Sequence, residues 1–318
     1  MSTVTEASGS RGAPTAPIAP GSRPAGPAAK KRFSTAWLWS TPPVLLLAAA
    51  FLYPLYLVVK QAIEGSPPDP TNPFKVSTSF SDTLTDPGTR TVVKNTIEMA
   101  VYSTAGCLVL GFLLALIIAF VPFPGSRAVS RFIDVFLSFP SFLITVSIMF
   151  LYGRVGMVNH IAASVTGGAH DTPINFIEYS PWGIWLAELI YFTPFVMRPL
   201  LTAFSQLDTG QLEVAASLGA RAGRVVWQVI MPEALPALFA GGSLVLMLTM
   251  NEYGIVSFTG AKYQTLPVLI ENFAKEQTNY AGACALAVIN IVLSLALFAG
   301  YRVLLARMSG GRRAAVHA

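Results

Sequence analysis

The chain has 318 residues, of which 53% are hydrophobic and only 12% are charged, and its mean hydropathy is +0.57. This composition lies outside the range of soluble domains and indicates a protein that crosses a membrane several times. The net charge of +5 does not indicate nucleic-acid binding, because the lysines and arginines flank apolar runs and do not form one basic face.

The first 32 residues are predicted to form a disordered cytoplasmic tail. Residues 1–29 are rich in Pro, Gly, Ser and Ala, so they bury too little apolar surface to offset the entropy of ordering. Three basic residues then precede an apolar run from Trp37 to Val59. A signal peptide cleaved near Ala48–Ala50 is one interpretation of this run. We favour an uncleaved membrane anchor, because the run continues well beyond those alanines.

Six apolar runs in chain order predict six membrane spans, which together make up a transmembrane domain from residue 33 to residue 308. The predicted spans are Trp37–Val59, Thr96–Phe120, Phe132–Tyr152, Trp182–Phe204, Leu235–Phe258 and Ala281–Leu305. Residues 61–93 and 153–181 are predicted to be external loops, and residues 309–318 a cytoplasmic tail. The predicted fold class is therefore an all-α integral membrane protein with six transmembrane helices.

The basic residues predict the orientation of these spans. With the N-terminus inside, 14 Lys and Arg residues fall on the cytoplasmic side and 7 on the other side. Because basic residues are enriched in cytoplasmic segments, both termini are predicted to be cytoplasmic. In the 153–181 loop, His160 and His170 lie ten residues apart without further ligands at a suitable spacing, so no metal site is predicted.

The segment 205–236, SQLDTGQLEVAASLGARAGRVVWQVIMPEALP, lies between the fourth and fifth predicted spans. Its first half places apolar residues at helical spacing among polar ones and predicts an amphipathic helix. Gly219 interrupts this helix. A second short helix is predicted to end at Pro232, whose ring and missing N–H cannot continue it. The segment thus predicts a helix-turn-helix at the cytoplasmic membrane surface, and without a partner it would be an interfacial amphipathic helix.

This segment, termed here the coupling loop, resembles the loop of permease subunits in binding-protein-dependent ABC importers. The family pattern is Glu-Ala-Ala, a Gly six residues after the Glu, then a branched apolar residue, one free position, an apolar residue and Pro. The residues that carry the resemblance are Glu213, Ala215, Ala216, Gly219, Val229, Met231 and Pro232. Val214 departs from the pattern, because it stands where the family has its first Ala.

The resemblance implies a type I importer permease fold in the bacterial inner membrane, and a transport subunit that is not an enzyme. It implies that Glu213 lies at the contact with a cytoplasmic ATPase subunit and that Gly219 permits a sharp turn. The implied partners are ATPase subunits, a second permease subunit that is homologous or identical, an extracytoplasmic solute-binding protein and membrane lipid. No cofactor, metal or nucleic acid is expected.

The residues also argue against other classes of function. The chain contains no Gly-rich loop that ends in Gly-Lys-Ser/Thr, so ATP has to be hydrolysed by another subunit. It contains no HExxH and no Gly-x-Ser-x-Gly, which weakens the hypothesis of an enzyme. Ion-coupled carriers often contain repeated halves. Because the last three spans do not repeat the first three, such a carrier is the less favoured alternative.

Further stretches narrow the resemblance to the permeases of 2-aminoethylphosphonate importers. These stretches begin at Val121, Arg131, Phe192, Gly241 and Ile289. They imply that a small polar solute, 2-aminoethylphosphonate, is transported. Permeases for polyamines, thiamine, ferric iron or sulfate share the same loop and layout and are the alternatives.

Polar residues within the predicted spans are candidates for the translocation path. They are Glu188, Arg198, Asn251, Glu252 and Asn290. A carboxylate at the centre of a bilayer costs about 2.5–3.5 kcal/mol on insertion scales, so Glu252 is predicted to face the bundle interior with Glu188 or Arg198 as its partner. A polar clamp that closes a gate and direct contact with the solute are the two alternatives for Glu252.

Overall fold

The computed structural model describes residues 36–65, 80–153, 156–166, 181–259 and 263–316, and the secondary structure within these ranges is helical. The predicted disordered tail, His170 and much of the two predicted external loops lie outside the described residues. The helices are α1 (Ala36–Glu64), α2 (Phe80–Thr85), α3 (Pro87–Phe120), α4 (Ser126–Phe136), α5 (Ser141–Tyr152), α6 (Met157–Thr166), α7 (Pro181–Ser205), α8 (Thr209–Ser217), α9 (Ala222–Val225), α10 (Met231–Met250), α11 (Gly254–Thr259), α12 (Leu266–Glu271) and α13 (Tyr280–Val316). Two π-helical turns, Val226–Ile230 and Asn272–Glu276, precede α10 and follow α12.

Six segments are long and apolar enough to span a membrane, and the third of them consists of α5 and α6 and crosses residues 154–155, which lie outside the described ranges. They are Thr41–Glu64, Pro87–Phe120, Ser141–Val165, Pro181–Ser205, Ala222–Met250 and Tyr280–Arg307. These segments confirm the predicted all-α class with six spans. The chain divides into one unit that ends at Phe51, within α1, and a second unit from Leu52 onward that contains the core.

The core of the second unit lies where α3, α7 and α10 pack together. Glycines at this contact allow the helix backbones to approach closely, as is common between helices in lipid. A Cβ atom on Gly111 of α3 would lie 2.9 Å from the Cβ of Val196 on α7. A Cβ atom on Gly241 of α10 would lie 2.9 Å from the Cα of the same valine. Both neighbouring helices therefore meet α7 at Val196 through a glycine.

The second span begins at Pro87 and not at the predicted Thr96, so the end of the predicted loop 61–93 is helical. Asp86 precedes the helix, and its carboxylate accepts a hydrogen bond of 2.8 Å from the backbone N–H of Thr89. Pro87 occupies the first helical position, where its fixed φ suits a helix and its missing N–H is not needed. This cap and proline extend the helix beyond its apolar stretch.

The predicted continuous span Phe132–Tyr152 is wrong. The helix stops after Phe136 and restarts at Ser141, so α4 and α5 are separate helices joined by residues 137–140. Pro140 explains the interruption, since a proline removes a helical hydrogen bond and disfavours helical backbone in the residue before it. The helix α6 also lies within the predicted loop 153–181.

The predicted helix end at Pro232 is also wrong, because helical structure continues from Ala222 to Met250. The π-helical turn Val226–Ile230 lies directly before this proline, and the N–H of Met231 donates to the carbonyl of Val226. A π-helical turn is wider than an α-helical one, which accommodates the proline ring without a break. At the other end, the helix stops at Met250 and not at the predicted Phe258.

The glycine contacts predict a difference between two variants. Gly111→Leu forces a side chain into Val196 and is expected to destabilise the protein by about 1–3 kcal/mol, the usual range for overpacking. Gly300→Leu on α13 is the matched control, because a Cβ atom there meets nothing within 4 Å. Thermal unfolding in one detergent measures both variants. Equal midpoints for Gly111→Leu and the unaltered protein would contradict the close helix contact.

Candidate functional site

The coupling loop begins with α8, whose start is fixed by Asp208. The Asp208 carboxylate accepts a hydrogen bond of 2.9 Å from the backbone N–H of Gly210 and caps the helix. Glu213 and Ala216 are exposed on α8, Ala215 is half-buried, and the helix contains no buried residue. The helix therefore lies at the surface, with most of its side chains exposed.

Gly219 ends this helix in a conformation that favours glycine. Its φ angle is +75°, in the left-handed region. The N–H of Gly219 donates to the carbonyl of Ala216 at 2.9 Å, and the N–H of Ala220 donates to the carbonyl of Ala215 at 3.1 Å. These two bonds form a Schellman motif. A Cβ atom on Gly219 would meet nothing within 4 Å, so glycine is required here for the backbone and not for space.

Apolar side chains are exposed at the tip of the coupling loop. Leu218 is 83% exposed and Val214 is 60% exposed. Leu212 and Val225, in contrast, pack against the core and fasten the loop to the bundle. An exposed apolar patch on a well-anchored element is typical of a surface that contacts a partner.

The structure does not place all the coupling-loop candidates together. Glu213, Ala215 and Ala216 lie on α8, and Gly219 forms the turn that follows. Val229 lies in the π-helical turn and Pro232 in the first turn of α10, and both are half-buried. These last two residues therefore shape the base of the loop, and α8 with Gly219 forms its outer part.

Glu252 lies just beyond the end of the fifth span and joins two other helices. Its Oε1 atom accepts a hydrogen bond of 2.9 Å from the hydroxyl of Ser141, the first residue of α5. The same atom accepts a hydrogen bond of 2.9 Å from the backbone N–H of Ile255 in α11. The carboxylate is partly exposed. The Glu252 carboxylate is thus held in one orientation by groups at the starts of α5 and α11.

The predicted partners of Glu252 are wrong. Glu188 and Arg198 lie ten residues apart on α7, which separates them by about 15 Å along the helix axis. Glu188 is fully buried, and its Oε2 accepts a hydrogen bond of 2.5 Å from the hydroxyl of Ser103 on α3. Arg198 is half-exposed and forms an ion pair with Asp134 on α4. Each of the two residues therefore ties α7 to a different helix.

Asn251 and Asn290 are brought together by the fold. The Nδ2 of Asn290 on α13 donates a hydrogen bond of 3.1 Å to the Oδ1 of Asn251. The Nδ2 of Asn251 donates to the carbonyl of Met247 at 2.8 Å. Asn251 is exposed, whereas Asn290 is buried. Asn251 precedes Glu252 in the chain, so the asparagine pair and Glu252 both lie where the fifth span ends.

The residues that hold these candidates were not predicted from the sequence. Ser103, Asp134 and Ser141 come from parts of the chain that are distant from the acidic and basic residues they contact. Serine within an apolar run is common in packed membrane helices, so it carries little signal. Pro140 is the one available signal for Ser141, because a proline inside an apolar run predicts a helix start directly after it.

The segment between α11 and α12 is fastened to the first turns of α3. The Nδ2 of Asn95 donates to the carbonyl of Gln264 at 3.1 Å, and the hydroxyl of Thr96 accepts from the N–H of Leu266 at 2.9 Å. Burial, together with the neighbouring negative charge of Glu98, raises the pKa of Tyr263 to about 12. The Tyr263 phenol is therefore neutral at physiological pH.

No group of three or more His, Cys, Asp or Glu side chains in the described part of the chain is arranged to hold a metal ion. The features of the site are thus an exposed coupling loop at one end of the fifth span and a cluster of polar side chains at its other end.

Comparison with known proteins gives three results. The family described as "Binding-protein-dependent transport system inner membrane component" matches residues 108–310. PhnU of Salmonella typhimurium strain LT2, a candidate 2-aminoethylphosphonate transport system permease, is 45% identical over 271 residues, which cover 85% of this chain and 92% of PhnU. PotC of Escherichia coli K12, a spermidine/putrescine transport system permease, is 27% identical over 205 residues, which cover 64% of this chain and 70% of PotC.

Among solved structures, the fold resembles a chain of the bacterial alginate ABC transporter in complex with an alginate pentasaccharide-bound periplasmic protein. The TM-score is 0.68 at 16% sequence identity, and the match covers 86% of this chain and 95% of that chain. At this identity the likeness shows the fold alone, which confirms the expected importer permease fold.

Proposed function

The chain belongs to the family of inner membrane components of binding-protein-dependent transport systems, and from this membership we propose that its solute is 2-aminoethylphosphonate. It is a transport subunit of an ABC importer and not an enzyme. The observation that carries the proposed solute is the 45% identity to PhnU over 85% of the chain. Sulfate and polyamine permeases are more distant relatives, at 29% and 27% identity, and of these two solutes we take a polyamine as the second candidate because it carries an amine.

The proposed solute and the second candidate share one chemical feature. Both 2-aminoethylphosphonate and a polyamine carry a protonated amine, and the former also carries an anionic phosphonate. A carboxylate is the natural hydrogen-bond acceptor for an ammonium group. The partly exposed Glu252, fixed through one oxygen, suits this role because its other oxygen has no hydrogen bond within the described residues.

The proposed partners are a solute-binding protein outside the membrane, a second permease subunit and ATPase subunits in the cytoplasm. The coupling loop supports contact with an ATPase, since it presents Glu213, Val214 and Leu218 on an exposed helix and turn. The proposed orientation, with both termini in the cytoplasm, rests on the 14 basic residues on that side against 7 on the other.

The proposed translocation path passes the polar cluster at Asn251, Glu252 and Asn290. This cluster coincides with two interruptions of helical structure, residues 137–140 before α5 and residues 251–253 before α11. Non-helical backbone at membrane depth is tolerated where it is buried in protein or lines a water-filled cavity, and transporters often bind solutes at such interruptions. Glu188 and Arg198 flank the cluster at two other levels of α7.

The coupling-loop proposal makes a prediction about Leu218. In a background with Cys107→Ser and Cys284→Ser, Leu218→Cys is expected to react with a membrane-impermeant maleimide in inverted vesicles and not in right-side-out vesicles. Bound ATPase subunits are expected to block this reaction. Labelling from the outside would overturn the orientation, and labelling that is unaffected by the ATPase subunits would remove Leu218 from the contact.

Substitutions at Gly219 and Glu213 test whether the shape and charge of the coupling loop are needed for contact with the ATPase. Gly219→Val strains the turn by about 1–2 kcal/mol, because a branched side chain disfavours the left-handed region. Glu213→Lys reverses a charge on the exposed face. Both variants are expected to insert normally and to lose ATPase co-purification. Gly223→Val is the matched control, since Gly223 is exposed, has no positive φ and has open space around it.

Glu252 is predicted to be reached by water during transport. In the same cysteine-free background, Glu252→Cys is expected to react with water-soluble reagents in some transport states and not in others, because the path opens to one side at a time. Val109→Cys is the control for a surface that faces lipid, since Val109 is 63% exposed on an apolar helix. Labelling of Glu252→Cys by lipid-soluble reagents alone, like Val109→Cys, would exclude it from the path.

The proposed solute is tested by deletion of the gene. Loss of the gene is expected to abolish growth on 2-aminoethylphosphonate as sole phosphorus source, together with uptake of the labelled compound, and the intact gene restores both. Excess unlabelled spermidine distinguishes the second candidate, because it competes for uptake only if a polyamine is a substrate. Unchanged uptake in a cell without a second importer would reject 2-aminoethylphosphonate and leave the family membership intact.

A further inference from the structure

A groove of about 820 Å³ lies between the beginning of the fifth span and the end of α13. The walls on the fifth span are mostly apolar and include Trp227, Met231, Leu235 and Phe239. Its end on α13 carries Arg302, which is the one charged side chain among the lining residues. The groove is therefore an apolar channel with a single positive charge. It begins at the base of the coupling loop, but contact of that loop with an ATPase does not account for it.

The position of the groove indicates that one of its ends lies at a membrane surface. The fifth span starts at Ala222 and the sixth ends at Arg307. Trp227 therefore lies near the start of one span and Arg302 near the end of the next, which places both on the same side of the membrane. Tryptophan is enriched where lipid headgroups meet the hydrocarbon core, and arginine side chains reach toward that level. Trp227 is 67% exposed, which places a large indole at the surface and not in the core.

The groove is long enough for one leaflet of a bilayer. From Met231 to Ser243, both of which line it, the helix rises by about 18 Å. Half of the hydrocarbon core of a bilayer is about 15 Å thick. The Ser243 hydroxyl donates to the carbonyl of Ala240 at 2.8 Å, so it needs no partner from an occupant. An acyl chain thus matches the groove in length and in its lack of hydrogen-bonding groups.

Arg302 supplies the charge that selects a headgroup. Within the described residues no carboxylate pairs with it, and its guanidinium carbon lies 6.0 Å from the centroid of the Phe298 ring. A guanidinium binds a phosphate through two parallel hydrogen bonds. A zwitterionic headgroup carries a cation of its own, which would lie close to Arg302 and repel it. An anionic headgroup carries no such cation, so its net negative charge favours the contact with the arginine.

We propose that this groove binds a phospholipid with an anionic headgroup, whose acyl chain lies along the fifth span and whose phosphate contacts Arg302. A hydrogen bond of 3.4 Å from the Tyr301 hydroxyl to the carbonyl of Phe239 joins α13 to α10, the two helices that form the groove. The lipid then covers the apolar surface that joins the base of the coupling loop to α13.

Native mass spectrometry of the full-length chain, purified from membranes with its partner subunits, tests this proposal. After partial delipidation, the protein is expected to retain phosphatidylglycerol in preference to phosphatidylcholine. Arg302→Gln is expected to weaken retention of phosphatidylglycerol about fivefold, the effect of one basic side chain near an anionic membrane surface. Arg307→Gln removes an equal charge five residues further along α13, outside the groove, and is expected to retain the lipid.

A second variant and a competitor distinguish a bound phospholipid from other possible occupants of the groove. Ser243→Phe fills the far end of the groove and is expected to reduce retention while Arg302 is intact. Inorganic phosphate is not expected to displace the lipid, because it has no acyl chain. Equal retention of the two lipids, full retention by Arg302→Gln, or displacement by phosphate would overturn the proposal. Protection of Trp227→Cys from lipid-soluble maleimide only when another subunit is present would likewise overturn it, in favour of a protein contact.

Discussion

Backbone N–H groups in the first turn of a helix have no partner within that helix, and this constraint explains how the polar side chains around Glu252 are arranged. Helical structure is interrupted at residues 137–140 and 251–253, and each interruption leaves N–H groups at the start of a new helix. One carboxylate serves both places. The Oε1 of Glu252 accepts from the backbone of α11 and from the first side chain of α5. Glu252 therefore stabilises both interruptions of helical structure. In return, the helix starts at these interruptions provide the hydrogen-bond donors for its carboxylate.

The fifth span connects the two parts of the candidate site. Helical structure runs from Ala222, directly after the Gly219 turn, to Met250, directly before Asn251. This length corresponds to about 43 Å along the axis. The glycine contacts with α7 hold the span closely within the bundle, and Leu212 and Val225 fasten the coupling loop to the same core. Continuous helical structure therefore joins the coupling loop to the level of Glu252. Pro232 lies in this helix without ending it, since the π-helical turn before it provides the room that its ring needs.

Hydropathy and turn chemistry were sufficient to predict much of this architecture. Six apolar runs gave six spans because a membrane helix requires a long uninterrupted apolar stretch. Gly219 was predicted to permit a sharp turn, and its φ of +75°, in the left-handed region that favours glycine, confirms this prediction. The partners of the polar residues could not be predicted, since Glu252 and Ser141 are 111 residues apart and neither has a pattern that points to the other. The interruption at Pro140 was missed because the residues around it are apolar, and composition outweighed the local effect of proline.

The ionisable side chains among the path candidates differ in how they are satisfied, and this difference bears on the proposed solute. Glu188 also keeps one oxygen, Oε1, without a hydrogen bond among the described residues, but its side chain is fully buried against Ser103 of α3, so it cannot meet a solute unless that contact opens. Arg198 and Asp134 neutralise each other while half-exposed, so a phosphonate that reached Arg198 would have to displace the aspartate. Glu252 keeps one oxygen without a hydrogen bond among the described residues. In this state of the protein, an ammonium group therefore finds an acceptor without breaking an existing ion pair, whereas an anionic group does not. On the proposed function, the amine of 2-aminoethylphosphonate is accordingly the end that the polar cluster accommodates first.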